Sequence, residues 1–382
     1  MRSGPARPTS SSRHSATTWR TRSKTPSGRA LSARSAASSP SSFRSRPDRL
    51  PAVLTILSLA PLAGPGVDLL RALGDLKIDP WNAHVPIQLH SAEQLVERLA
   101  GVDALIVEAD HISAEVLEKT ELKYLGVCRG DPNNVDVPAA TKKGVLVIRT
   151  PGRNANAVAE LTIGLMFTLL RWIVEADDDI RAGRWVIDGR IAQQRYQGRE
   201  MTSLEVGLVG AGAVGRAVAE RLRALGAANV MAYDPVVDPE ALIASGIEPV
   251  PVLGDLIARA DIISVHAPLT PATRGLLGEK EFARVKPGAF FVNTARFGIA
   301  AEEPLLAALR DGRLAAAAFD HFENEFLSPE HPLASMPNVV LTPHIGGSTI
   351  ETIENHTLTI AQGIHDVLEG KIPGSVVNPE VL

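Results

Sequence analysis

The chain has 382 residues, 45% hydrophobic and 21% charged, with a formal net charge of −4. That length suits two domains of ordinary size, and the acidic balance gives no electrostatic case for nucleic acid as a partner. The single cysteine, Cys128, excludes an intrachain disulfide and a cysteine-rich metal site, and fits a reducing, cytoplasmic setting.

Residues 1–50 differ from the rest: they hold ten Arg and one Lys against one Asp, Asp48, and show no hydrophobic periodicity. Such a segment is expected to be disordered. It resembles an organellar transit peptide, but without a clear amphipathic helix and without a secretory apolar core. Translation from an upstream start in a GC-rich genome produces the same composition and is the preferred reading. Removing its net +10 from −4 leaves an acidic body near −14.

From Ala52 onward, apolar runs alternate with helical patterns, which implies a parallel sheet covered by helices on both faces. "AVLTILSLA" (52–60) predicts a strand and "GVDLLRALGDL" (66–76) an amphipathic helix. "SAEQLVERLA" (91–100) opens with Ser91 and places Gln94 three residues on, a capping-box start. "DALIVEA" (103–109), "YLGVCR" (124–129) and "GVLVIRT" (144–150) are further strands, and this half resembles a flavodoxin-like domain. A helix is expected over 154–177; its apolar run, 161–170, is stopped by Arg171 and is too short to span a bilayer.

A second βαβ series follows. Its six expected strands lie within 204–226, 229–235, 260–269, 288–296, 314–320 and 338–344. The final helix, 348–369, has no place left in that sheet and is expected to return to the first domain.

Gly210-Ala211-Gly212-Ala213-Val214-Gly215 follows an apolar strand and opens a helix, and Asp234 lies nineteen residues beyond Gly215 at the end of the next strand. In that context G-x-G-x-x-G marks a dinucleotide site: the glycines let a pyrophosphate reach the free N–H groups of the helix N-terminus. Asp234 would accept hydrogen bonds from the ribose hydroxyls and repel a 2′-phosphate, while Pro235-Val236-Val237 offers no arginine to one. The expected cofactor is NAD rather than NADP. In "NVVLTPHIGGST" (338–349), Pro343 ends a short strand and leaves His344 at its carboxyl end, the ligand-binding side of open α/β sheets.

Arg296 in "FVNTAR", Asp320 and Glu325 in "FDHFENE" and His344 in "LTPHIGG" fall in the order and spacing of the D-isomer-specific 2-hydroxyacid dehydrogenases, which the chain resembles from about Ala52 to Pro379. The stretch 122–166 is similar to that family's substrate loop and interdomain helix. The resemblance implies an α/β fold of two doubly wound parallel-sheet domains: a flavodoxin-like substrate domain (51–152 and 345–382) interrupted by a Rossmann NAD-binding domain (153–344). It implies an NAD-dependent oxidoreductase acting on a small 2-hydroxy or 2-keto acid, phosphoglycerate dehydrogenase-like, with glyoxylate/hydroxypyruvate reductase or sugar-acid dehydrogenase as alternatives. A homodimer is implied, and no metal.

Reducing a 2-keto acid needs a hydride, a proton for the carbonyl oxygen, and a cation for the carboxylate. His344 fits the proton donor, Glu325 the carboxylate that orients it, and Arg296 the planar fork that grips the substrate carboxylate. Asp320 would hold the nicotinamide carboxamide, with His266, Pro268, Thr294 and Gly346 lining the cofactor site. Backbone N–H groups of Arg129, Gly130 and Asp131 would cradle the carboxylate. His321 competes with His344, and Glu323 with Glu325; Cys128 reads as a small buried apolar residue.

Three features depart from the family pattern: Arg129 and Pro132 in "VCRGDPNNVD", and Phe326 where a proline commonly follows the catalytic glutamate. Arg129, with Arg153, is expected to add positive charge for a substrate with a second anionic or polyhydroxylated end, such as a phosphate; the plain alternative is that Arg129 points to solvent. The chain stops soon after "IPGSVVNPE", so serine-type control by an added C-terminal domain is not expected. Related corepressors use the same fold as NAD-sensing scaffolds, which an exposed peptide groove and feeble turnover would reveal. Formate or phosphite oxidation would need a smaller pocket.

Overall fold

Residues 53–382 are described by a computed structural model, and the expectations for residues 1–50 lie outside them. The first sheet has five parallel strands, β1 (Leu54–Ser58), β2 (Gly74–Ile78), β3 (Ala104–Val107), β4 (Tyr124–Val127) and β5 (Leu146–Arg149), in the order β2-β1-β3-β4-β5. Helices α1 (Pro65–Leu73), α2 (Ala92–Arg98), α3 (Ala114–Glu118) and α4 (Val137–Lys143) connect them. The Ser91 hydroxyl accepts from Gln94 N–H and the Gln94 side chain accepts from Ser91 N–H, closing the capping box at α2.

The helix predicted over 66–76 stops at Leu73, and Gly74 begins β2 instead. A Cβ at position 74 would lie 1.9 Å from the Leu54 carbonyl oxygen, so only glycine lets the two strands approach. "GDLKI" carries no apolar run because β2 is a largely exposed edge strand.

The helix expected over 154–177 is two, α5 (Ala155–Arg171) and α6 (Ile173–Arg181), bent by 62° where Trp172 adopts a left-handed φ of 55°. A small hairpin, β6 (Val186–Ile187) and β7 (Arg190–Ile191), and α7 (Ala192–Arg195) follow. No single helix among the described residues is long and apolar enough to cross a membrane.

The second sheet comprises β8 (Glu205–Val209), β9 (Asn229–Tyr233), β10 (Glu248–Pro249), β11 (Ile262–Val265), β12 (Ala289–Asn293), β13 (Leu314–Phe319) and β14 (Val339–Leu341). All seven are parallel, in the order β10-β9-β8-β11-β12-β13-β14. The strand beyond the expected six is β10, whose two residues are too few to display a period. Helices α8 (Ala213–Ala224), α9 (Pro239–Ala244), α10 (Leu253–Arg259), α11 (Glu279–Phe282), α12 (Glu302–Arg310) and α13 (Pro332–Ser335) complete this unit.

The last helix, α14 (Ile350–Leu368), lies against α1, β4 and β5, and its Ile360, Ala361 and Ile364 are buried with Leu54, Ile56, Leu70 and Ile148 of the first sheet's core. Two chain crossings therefore join the layers, one before α5 and one before α14. Strand order reverses between β1 and β3 and between β8 and β11, and such switch points open crevices at the carboxyl ends of the strands.

Candidate active site

The turn after β8 carries the glycine motif. Gly210 has φ 98° and donates its N–H to the Tyr233 carbonyl at 2.9 Å, while α8 begins at Ala213. Asp234, just past β9, accepts from Ala211 N–H at 2.8 Å and from Val236 and Val237 N–H at 2.9 and 3.1 Å. Burial alone would raise its pKa, but these backbone bonds outweigh it and keep the carboxylate below its ordinary range. Arg216, which the sequence reading passed over, donates to the Ala211 carbonyl at 2.8 Å and adds positive charge near Asp234.

A cleft of about 470 Å³ brings the glycine turn and the first sheet's loop together: Val214, His266, Pro268, Thr294 and Arg296 face Asp131 and Asn133 across it. The residues fit a dinucleotide. A Cβ on Gly212 would meet nothing within 4 Å, so space exists beside the helix N-terminus. His266 Nδ1 is buried in the cleft with no protein partner, while its Nε2 lies 2.9 Å from Ser264 Oγ. NAD would be held here by the glycine turn and the N-terminus of α8, with His266 among the cleft's polar residues, and would supply hydride chemistry.

Burial holds His266 at about 4. The unfolded chain takes up this proton near pH 6.5, so it binds more protons than the native state between the two values. Stability is therefore expected to be greatest above pH 6.5 and to fall as the pH drops toward 4, by on the order of 3 kcal/mol from this group. Denaturant titrations from pH 7 to 4.5 check this, since His266→Gln should flatten the curve over that interval.

At the carboxyl end of β14, His344 Nδ1 lies 2.8 Å from Glu325 Oε1. Both residues have left-handed backbones, φ 54° and 53°. The His344 turn is pinned by the buried Asp320, which accepts from the Thr342 hydroxyl at 2.6 Å, Ile345 N–H at 2.9 Å and Gly346 N–H at 2.8 Å. Asp320, expected at the nicotinamide, thus has three bonds inside the turn that carries His344. Thr342 and Gly346 share in fixing that turn.

The rival residues are separated. Glu323 pairs with Arg274 at 2.8 Å, away from His344. His321 meets the His344 ring edge-on at 4.7 Å, and its Nε2 is 3.7 Å from Glu325 Oε1. Burial, then the charges of Arg296 and His344, push its pKa down, which disfavours its protonated form. His321, Glu325 and His344 bring three potential metal-ligating atoms within 4.8 Å of one another, a juxtaposition the sequence reading did not foresee. Phe326 is exposed and, with Phe322, Leu341 and His344, lines a second hollow of about 290 Å³.

Arg296, past β12, is exposed, and its turn is held by Asn293, which donates to the Arg296 carbonyl at 3.0 Å and accepts from Ala295 N–H at 3.0 Å. Thr294 is buried, with its hydroxyl 2.8 Å from that of Thr162 on α5. Asn293 was missed although it sits inside the quoted "FVNTAR"; a polar residue ending an apolar strand was the available signal. In the loop after β4, backbone N–H groups of Arg129, Gly130 and Asp131 have no protein acceptor among the described residues, as an anion cradle requires. Cys128 is fully buried, which pushes its thiol pKa up.

Arg129 is half-buried rather than solvent-directed: Nε donates to the Glu108 carbonyl at 2.7 Å and Nη1 to Asn133 at 3.0 Å. Arg153 does not stand free beside it, because its Nη2 is 2.6 Å from Glu108 Oε1. Of the two arginines expected to add positive charge, Arg153 is paired with a carboxylate, whereas Arg129 bonds only neutral acceptors.

Two parallel sheets, a glycine turn on the larger and a cleft between the layers define a nucleotide-binding dehydrogenase architecture. Residues 163–346 match the D-isomer specific 2-hydroxyacid dehydrogenase, NAD binding domain. A glyoxylate reductase of Thermofilum pendens is 37% identical over 83% of this chain and 92% of its own length. A D-3-phosphoglycerate dehydrogenase of Methanocaldococcus jannaschii is 34% identical over 85% of this chain, which spans 60% of that longer relative. The NAD-complexed D-isomer specific 2-hydroxyacid dehydrogenase of Lactobacillus delbrueckii ssp. bulgaricus superposes with a TM-score of 0.70 at 27% identity, over 85% of this chain and 100% of that one. The chain belongs to the D-isomer specific 2-hydroxyacid dehydrogenase family, whose relatives are NAD-dependent oxidoreductases acting on CH–OH groups.

Proposed function

We propose that the protein is an NAD-dependent D-2-hydroxyacid dehydrogenase that interconverts a 2-hydroxy acid and its 2-keto acid. The observation that carries this reading is the His344–Glu325 pair, 2.8 Å apart at the carboxyl end of the larger sheet. Residues 51–152 with 345–382 serve as the substrate domain and 153–344 as the NAD-binding domain. The bound nicotinamide would deliver or accept the hydride at C2.

The chain's own residues do the rest. Nδ1–H of His344 donates to Glu325, which leaves Nε2 to give a proton to the carbonyl oxygen in reduction and to take it back in oxidation. The Arg296 fork and the free N–H groups of the 129–131 loop hold the substrate carboxylate and polarise the carbonyl. Asp234 favours NAD over NADP, since its ionised carboxylate opposes a 2′-phosphate.

NADH oxidation by the full chain with glyoxylate, hydroxypyruvate, pyruvate, 2-oxoglutarate and phosphohydroxypyruvate tests the reading. Turnover of at least one is expected. NADH binding without turnover of any, including longer sugar-derived keto acids, would sink it.

We further read the protein as a homodimer. Ile173, Val174, Ile180, Trp185, Val186 and Ile191 are exposed along one short segment, and Asp179 ties it together by accepting from Arg184, Arg195 and Tyr196. Trp185→Glu is expected to weaken self-association by about 2 kcal/mol or more. Sedimentation showing a monomeric wild type would refute the dimer, and the same dimer in both proteins would refute this face as its interface.

A further inference from the structure

His321 and Glu325 lie in the stretch after β13, and His344 lies in the turn after β14. These strands are parallel neighbours, so the two stretches leave the sheet side by side at its carboxyl end. Glu325 Oε1 stands between the rings, 2.8 Å from His344 Nδ1 and 3.7 Å from His321 Nε2. The imidazoles meet edge-on with centroids 4.7 Å apart, and one ligand atom from each of the three residues lies within 4.8 Å of the others. Asn324 and Glu325 both have left-handed backbones, φ 57° and 53°, strain of the kind that collects where side chains are held for function.

The dehydrogenase reading employs His344 and Glu325 and leaves His321 without a task. Its side chain is only 13% exposed. Nδ1 is buried with no hydrogen-bond partner among the described residues, and Nε2 is too far from Glu325 for a hydrogen bond. Buried polar groups are normally bonded, so the ring lacks a partner that a bound species could supply. Two imidazoles and a carboxylate are a zinc donor set, whose bonds of about 2.0–2.2 Å put ligand atoms roughly 3.4 Å apart on a tetrahedron. The separations of 2.8 and 3.7 Å fall on either side of that value, and Glu325 and His344 are exposed, so an ion reaches them from solvent. Arg296 is close enough for its charge to act on His321 and offsets the Glu325 carboxylate. Mg²⁺, which depends on several oxygen ligands, gains little there, whereas Zn²⁺ bonds strongly to neutral imidazole.

We propose that His321, Glu325 and His344 form a zinc site whose occupancy blocks the dehydrogenase. The site stands on the geometry alone; the inhibition rests on the reading of His344 as the proton carrier. A histidine–glutamate pair offers two ligands, and His321 supplies the third, leaving the fourth position to water. Zn²⁺ takes the Nδ1 lone pair of His344 and leaves the ring's single proton on Nε2. A ring so fixed cannot accept a second proton, so it never becomes the imidazolium that keto-acid reduction draws on. In the oxidation direction Nε2 is already occupied and cannot take the substrate's proton. The ion is an inhibitor and not a reactant.

Calorimetry of the full, chelator-treated chain with zinc chloride at neutral pH reads the site directly, with magnesium chloride as the contrast. Zinc is expected to bind, magnesium to bind far more weakly, and His321→Ala and Glu325→Gln each to weaken zinc binding by at least about tenfold. Should His321→Ala fail to fold, Glu325→Gln, on an exposed turn, answers the same question. No zinc binding by the wild type, magnesium binding as tight as zinc, or zinc affinity unchanged in a folded variant would overturn the site, the last because the ion then sits on other histidines. NADH oxidation with the keto acid turned over fastest reads the inhibition. The wild-type rate is expected to fall at least about tenfold at saturating zinc and to return with EDTA, and His321→Ala to need at least about tenfold more zinc for half-inhibition of its own zinc-free rate. A full rate with the site occupied would overturn the inhibition. Turnover of no keto acid would count against the dehydrogenase reading, while calorimetry would still judge the zinc site.

Discussion

Replacing His344 by alanine is expected to lower kcat for keto-acid reduction by about 10²- to 10⁴-fold, the usual worth of a positioned general acid, with NADH affinity unchanged. The imidazole occupies the end of β14, and its orientation is over-determined. Glu325 takes Nδ1, Asp320 ties down the backbone on either side through Thr342, Ile345 and Gly346, and the backbone of His344 itself is held at a left-handed φ of 54°. A non-glycine residue kept in that region costs of order 1–3 kcal/mol, which the Asp320 bonds offset. Glu325→Gln should lose less than His344→Ala, because an amide still accepts from Nδ1–H but does not stabilise the imidazolium. Steady-state rates with stopped-flow NADH binding settle the matter: a loss under about tenfold in His344→Ala would remove the histidine from proton transfer.

A comparably large effect is expected from Gly210→Ala, this time on folding: about 2–5 kcal/mol of stability lost, together with NADH affinity. The position combines φ 98° with a Cβ that would lie 2.6 Å from Ala267 N and 2.8 Å from the His266 carbonyl carbon. The turn would have to move away from the end of β11, carrying the N-terminus of α8 with it. Gly212→Ala supplies the contrast. Its φ is −65° and nothing in the protein lies within 4 Å of the added methyl, so stability should hold while the methyl intrudes on the cofactor's space and NADH affinity falls. Urea denaturation and NADH titration of both variants separate the two roles. Equal stability of Gly210→Ala and wild type would show that the turn relaxes freely.

Local patterns carried most of the strands and the Asp234 placement. The glycine turn, the strand after it and the acidic residue at the end of the next strand are close in sequence, so their spacing is set by one βαβ unit. The capping box at Ser91 was likewise readable, because its partners are three residues apart. β2 and β10 were not legible: an exposed edge strand and a two-residue strand have no buried face to impose a period. The break at Trp172 also escaped notice, since nothing in "LLRWIVEADD" interrupts the helical pattern.

By itself the sequence determined the two parallel sheets, the nucleotide turn and the set of chemically apt side chains, because hydrophobic period and glycine spacing act over a few residues. Tertiary structure alone decided the partners. Glu325 rather than Glu323 reaches His344, Asp320 binds the turn after β14, and Arg153 is neutralised by Glu108, forty-five residues away. Electrostatic pairing depends on distances of a few ångströms in space, and a residue's charge is available to a ligand only when no neighbour brought in by the fold has already taken it.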